Sequence, residues 1–507
     1  MHIPQRKLSG EELKEFLTDA SDYSMNAIKD YFSRYEPESL YYHWRLLIRS
    51  MDEFINLVWE IEDQQTVQDF LSLSFNFLDQ DETDRFIKVY SEVLKQFGLE
   101  TAERFLNFAR MNFTITVKYE QKGINDQMDY NVAGVSSALM YYQSRRKFYV
   151  TLLDLIPLWA KGTVKIEYKA VFSHFHYWIE NCLQTWTTLY YDTVLSAIYN
   201  NFSIDFSVQP PLKSHNYKNL EGFFLEPQIM NMVDVLTYRP HQVHSVAPPQ
   251  MSGSKVFSFS EVESYIQSIP VTYQRYAASD MTEYIELKFL VRELREFCAD
   301  DFNICVPKDR FDHEIEIYIK KIKMSAESDD YIFVSNFAPL FQLVGNVYYT
   351  TVVLLNRFIT DRIQQALNRN KSFQIHSGFV FEAKIREILN KKGFKVTDIT
   401  RIKRKEFDVI TVKCGKIYNF QCKNNLIDIS RVQHDAKMTV RWNNKLINYY
   451  KKAYKKELGR EDLITEKLEL DQIQHFVVSR YPVITDIDYI INFNELAEVI
   501  DSWDLAE

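Results

Sequence analysis

The chain has 507 residues, of which 46% are hydrophobic, 25% charged and 15% aromatic. This balance excludes a disordered or low-complexity protein, and the length implies roughly two to four domains, each able to bury a core. A net charge of −9 rules out a uniformly basic protein, but it hides a basic block: Lys371–Arg460 holds 22 Lys and Arg against 8 acids, whereas Glu461–Glu507 holds 2 against 12.

The N-terminus, "MHIPQRKLSGEELKEF", has no apolar core of signal-peptide type. Ser9 and Glu12 have the spacing of a helix capping box ahead of Leu13, Phe16 and Leu17. Helical periodicity then dominates residues 1–204. Its aromatic stripes, such as Trp186, Tyr190 and Tyr191, read as core or helix-packing surface. Residues 205–260 are rich in proline, with "APPQMSGSK" as an exposed loop, and form an irregular linker or subdomain. Helical patterning resumes over 261–370, with room for short strands. The uncharged stretch Tyr331–Asn356 is interrupted by Asn, Gln, Pro and Gly, so it predicts a helix buried in a soluble domain and not a membrane span. Five scattered cysteines with no CxxC pair indicate reduced thiols in a cytoplasmic protein. The histidine pairs His174/His176 and His241/His244 lack the four ligands of a structural metal site.

A new domain, residues 371–507, follows the polar joint "NRNKSFQIHSG". In it "GFVFEAKIREILNKKGFKV" predicts an amphipathic helix with a stripe of Phe379, Ile385, Ile388 and Leu389, stopped at Gly393. Glu382 lies beside that stripe. "FKVTDITRI" predicts an edge strand leading to the basic turn Lys403, Arg404 and Lys405. Next, "EFDVITVKCGKIYNFQCKN" predicts a β-hairpin with Cys414-Gly415 as its two-residue turn. Lys413 then faces Lys416, which sets Asp408 opposite Gln421, and strand alternation puts Lys423 on the same side. A one-residue slip would scatter the three. Downstream, a basic helix carries Arg431, Lys437, Arg441 and Lys445, and "QHFVVSRYPV" predicts another buried strand.

Two carboxylates, a neutral amide and a backbone carbonyl are hard oxygen donors suited to Mg²⁺ or Mn²⁺. A lysine beside them can orient a water or stabilise charge on a phosphoryl oxygen, and a basic rim suits a polyanion. A Glu in the first helix followed by Asp-x₁₂-Gln-x-Lys on two strands resembles the PD-(D/E)xK nuclease superfamily. The Gln and "GFVFE…IL…GF" are similar to its Mrr-like restriction endonuclease branch. Phe407 stands where that pattern usually has proline. The resemblance covers roughly residues 374–500.

That resemblance implies a multidomain fold, with a mainly α-helical N-terminal region and a C-terminal α/β restriction-endonuclease-like domain of αβββαβ core. It implies catalytic roles for Asp408, Gln421, Lys423 and Glu382, with metal held by Asp408, Glu382 and the Cys422 carbonyl. Lys403, Arg404, Lys405, Arg431, Lys437, Arg441 and Lys445 would contact nucleic acid. The expected activity is Mg²⁺-dependent cleavage of DNA, double-stranded by the family likeness, in restriction or anti-phage defence. A homodimer is expected if both strands are cut, and the N-terminal region would sense a target, protein partner or trigger. A catalytically inactive nucleic-acid-binding or assembly protein, or an RNA-directed nuclease, would share these residues.

Overall fold

The structure is a computed structural model and describes residues 3–60, 80–109, 135–215, 258–272, 282–319, 340–425, 436–481 and 483–504. It is mixed, with a predominance of helix, and it divides into two compact units between Gln364 and Gln365. Among the described residues no helix is long and apolar enough to cross a membrane.

The first unit is built on long helices. Gly10–Phe32 packs against Glu180–Ile198, and Pro37–Glu60 packs against Val135–Trp159. Their apolar faces meet around fully buried Trp44, whose indole N–H donates to the Tyr149 carbonyl at 3.0 Å. Charges are buried here in pairs, as opposite charge is needed to offset desolvation. Arg104 meets Glu53 at 2.6 Å and Arg146 meets Asp52 at 2.5 Å. Trp186 and Tyr190 are buried and stacked, with centroids 5.4 Å apart.

Two sequence expectations fail in this unit. Ser9 stands at the N-cap of the first helix, but its side chain makes no capping hydrogen bond, and Glu12 pairs with Arg6 and not with the cap. Within Tyr331–Asn356, the described part is not one helix. Gln342–Val344 and Val347–Thr351 form a hairpin and a helix starts only at Val352, because Gly345, at φ +61°, allows the chain to reverse. His174 takes a hydrogen bond with the Tyr31 hydroxyl at 2.7 Å. His241, His244 and most of the Pro-rich segment lie outside the described residues.

The second unit runs helix α1 (Lys371–Lys391), strand β1 (Lys395–Val396), a ribbon of β2 (Arg401–Ile402) and β3 (Lys405–Glu406), and then β4 (Val409–Lys413) and β5 (Lys416–Lys423). Helices α2 (Ala436–Leu458) and α3 (Glu461–Leu468), strands β6 (Ile473–Ser479) and β7 (Ile490–Asn492), and helix α4 (Leu496–Asp504) follow. The main sheet has the order β7-β6-β5-β4-β1. β4 is antiparallel to both β1 and β5, whereas β5, β6 and β7 are parallel. Parallel neighbours require a crossover, which α2 and α3 supply between β5 and β6.

Strand alternation divides β5 between two layers. Tyr418, Phe420 and Cys422 pack with Phe381, Ile385 and Leu389 of α1 and with Leu496 and Ile500 of α4. On the other face, Ile417 packs with Ile464 of α3, and Val477 of β6 packs with Leu446 and Tyr450 of α2. Each fully buried aliphatic side chain contributes about 1.5–3 kcal/mol. In α1 the apolar stripe runs through Phe381, not Phe379, which is 59% exposed. The helix ends as a Schellman motif: the Phe394 N–H donates to the Leu389 carbonyl at 3.0 Å, and Leu389 and Phe394 share the core. The expected edge strand is split. Only Lys395–Val396 joins the sheet, while Arg401–Ile402 turns away to pair with Lys405–Glu406.

Candidate active site

The turn of the hairpin sets the site. Cys414 and Gly415 both have positive φ, +50° and +75°, the conformation that two-residue hairpin turns require. Pairing runs from Lys413↔Lys416 to Val409↔Phe420. Asp408, one step before β4, therefore lies opposite Gln421. The Gln421 amide donates to Asp408 Oδ2, and the Cys422 backbone N–H donates to the same oxygen at 2.7 Å. The N–H and C=O of one strand residue point to the same edge. The Cys422 carbonyl thus faces the Asp408 side, while its thiol packs among the apolar side chains of the α1 layer.

Burial raises the Asp408 carboxyl above its usual range. The Lys423 ammonium and the Cys422 N–H oppose that rise. Burial also lowers Lys423, against the charge of Asp408. Glu382 projects from α1, half-buried, and burial followed by the charge of Asp408 pushes it up to about 7. Asp408, Gln421, Lys423 and Glu382 are thus electrostatically coupled at one end of the hairpin. Gln421 is 9% exposed, so its amide is committed to this network.

Arg386 belongs to the same group, although no sequence pattern singles it out. It sits one helical turn after Glu382, and its guanidinium donates to the Thr397 carbonyl at 3.1 Å and to the Asp408 carbonyl at 2.5 Å. It therefore fixes α1 to the entrance of β4. Asn424 extends the arrangement, donating to Ser377 of α1 at 2.9 Å and accepting from Arg480 at 2.8 Å. Below the site, Asn419 donates to Glu457 at 3.0 Å and lies 3.0 Å from His475 Nδ1. Glu457 is near enough to raise Asp408 further.

The basic residues divide into separate sets. Arg441, Lys445 and Lys437 are exposed on α2, and the Lys423 ammonium lies 5.7 Å from the ring centre of Tyr449 on that helix. Lys403, Arg404 and Lys405 are exposed at the turn of the β2–β3 ribbon, where Lys403 meets Glu466 of α3 at 3.1 Å. Arg431 lies outside the described residues.

Among the described residues no group of three or more His, Cys, Asp or Glu is placed to hold a metal ion. A divalent cation at this site would be held by two carboxylates, Asp408 and Glu382, with neutral oxygens completing the set. The donors are chemically compatible: they are all hard oxygens, and burial and the charge of Asp408 disfavour a charged Glu382 in a way that a cation would relieve. In comparisons with protein-family models, curated proteins and solved structures, the chain matches none.

Proposed function

We propose that the protein is a Mg²⁺- or Mn²⁺-dependent endonuclease that hydrolyses phosphodiester bonds in DNA, with its second unit as a restriction-endonuclease-like domain. Restriction or anti-phage defence is the setting, with the first unit sensing a target, partner or trigger. The observation that carries this reading is the convergence of Asp408, Gln421 and Lys423 across the hairpin, with Glu382 raised by burial and then by the charge of Asp408. The order of elements, α1, β1, β4, β5, α2 and β6, supports it as the αβββαβ arrangement expected from the resemblance.

In this reading Asp408 and Glu382 would hold the cation, joined by the Cys422 carbonyl and by the Gln421 side-chain oxygen. When bound, the cation supplies Lewis acidity towards a phosphoryl oxygen and favours a hydroxide nucleophile. Lys423, its ammonium destabilised by burial, orients the attacking water, and as free amine it accepts that water's proton at Nζ. Arg386 holds the Asp408 backbone, so the carboxylate enters the reaction already oriented. Exposed Arg441 and Lys445 on α2 neutralise substrate phosphates.

Incubating the protein with Mg²⁺ or Mn²⁺ and plasmid DNA tests the assignment. Wild type should nick the plasmid, and Asp408→Ala and Lys423→Ala should each lose at least about a hundredfold of that rate. Equal residual nicking by wild type and both variants would sink it. A second reading, a catalytically silent nucleic-acid-binding protein, is favoured by the hydrogen bond from Gln421 to Asp408, which satisfies part of the carboxylate without any metal. Salt-sensitive DNA binding with no cleavage under any divalent ion would select it.

A further inference from the structure

Helix α2 has a solvent face that phosphate neutralisation alone does not explain. Arg441, Asn444, Lys445, Asn448, Tyr449 and Lys452 line a groove of about 590 Å³. Arg441, Lys445, Asn448 and Lys452 are spaced i, i+4, i+7 and i+11, so they form one stripe about 16 Å long. Within it Tyr449 is 48% exposed, although a large aromatic ring gains more from burial than from water. The same ring has the Lys423 ammonium 5.7 Å from its centre, so this face of the helix lies beside the candidate catalytic lysine. Near the other end, the Lys445 ammonium lies 4.5 Å from the ring centre of Trp442.

We infer that this groove binds an unpaired nucleic-acid strand, with a base stacked on Tyr449 and the flanking phosphates on Arg441, Lys445 and Lys452. The inference rests on reading this face as the nucleic-acid face of the proposed nuclease, and it narrows the substrate from a duplex to a single-stranded, gapped or unwound segment. In a duplex the bases are already stacked on one another, so a helix would meet only backbone and base edges and no free ring face. Against that surface an exposed phenol ring offers little, whereas lysine and asparagine would suffice. An unpaired base has a free π-face, and stacking on an aromatic side chain is tolerant of sequence. Asn444 and Asn448 add amide donors and acceptors to the same face.

The test measures binding by full-length protein in EDTA, so that cleavage plays no part. Fluorescence anisotropy would compare a labelled single-stranded DNA, its matched duplex, the same duplex with a central unpaired bubble, and an RNA strand of the same sequence. The single strand and the bubble should bind about tenfold or more tightly than the duplex. Tyr449→Ala should remove most of that preference and Tyr449→Phe should keep it, because the ring and not the hydroxyl is used. Tyr449 is exposed, so its replacement leaves the core intact, and an unchanged melting temperature would verify that. The tighter of the DNA and RNA strands identifies the sugar, provided that it exceeds the duplex. Duplex binding as tight as single-strand binding, or equal loss on both in Tyr449→Ala, would overturn the inference. Single-strand preference without cleavage in Mg²⁺ would leave it standing and remove the catalytic reading alone.

Discussion

Gln421 stands where a second strand carboxylate would be the stronger metal ligand, and its amide is already donating to Asp408 Oδ2. Replacing it by glutamate therefore changes two terms of opposite sign. In the absence of metal, Gln421→Glu removes a donor and sets a third acid beside Asp408 and Glu382, where burial and mutual repulsion already disfavour charge. With a divalent cation the added charge becomes favourable, since ligand charge count tunes affinity. The expected outcome is a lower melting temperature in EDTA and about tenfold tighter Mn²⁺ binding by calorimetry. Unchanged Mn²⁺ affinity would place residue 421 outside the ligand shell. The sequence made this conflict visible because the residue types and the strand period suffice to bring 408 and 421 together. It did not reveal the hydrogen bond, which depends on side-chain rotamers.

At the scale of elements, the hairpin was legible and its surroundings were not. A two-residue turn leaves one register that buries Val409 with Phe420 on one face and Ile410 with Ile417 on the other, and the observed pairing has that register. By contrast, Phe379 and Phe381 are both plausible core residues by type, and the helical phase that buries Phe381 is chosen by packing against Phe420 and Phe493. The stretch from Gln342 to Thr351 misled for a related reason: an uncharged run has no period that separates a helix from two strands. Arg386 was missed because a single arginine on a helix is ordinarily solvated; only the fold brings the carbonyls of Thr397 and Asp408 under it. Its planar fork reaches both, which one lysine ammonium does less well. Arg386→Lys should therefore leave oligonucleotide affinity unchanged while lowering the single-turnover cleavage rate about tenfold or more, as expected when a reacting group is displaced by a fraction of an ångström. Equal losses in affinity and rate would mean that Arg386 contacts the substrate instead.

Across the whole molecule buried charge is handled in more than one way. In the second unit the coupled acids Asp408 and Glu382 lie at a site. In the first, Asp52, Glu53, Glu180 and Asp192 each meet an arginine or a lysine, so their burial is offset structurally. Asp154 differs from those four. It is 2% exposed in the helix Val135–Trp159, its hydrogen-bond donor is the neutral Gln342 amide at 3.0 Å, and burial raises its carboxyl well above the usual range. The folded chain therefore keeps a proton that the unfolded chain releases near pH 4. Stability from this residue is full below about pH 4 and falls as pH rises towards the native pKa, because above pH 4 only the folded state must keep the proton or else bury the charge. Asp154→Asn keeps the shape without the proton, and it should melt about 2 °C or more above wild type at pH 7, with the gap closing at pH 4.5. A variant that melts below wild type at pH 7 would instead mean that Asp154 is ionised in the folded chain, held by a cation that stabilises the charged form.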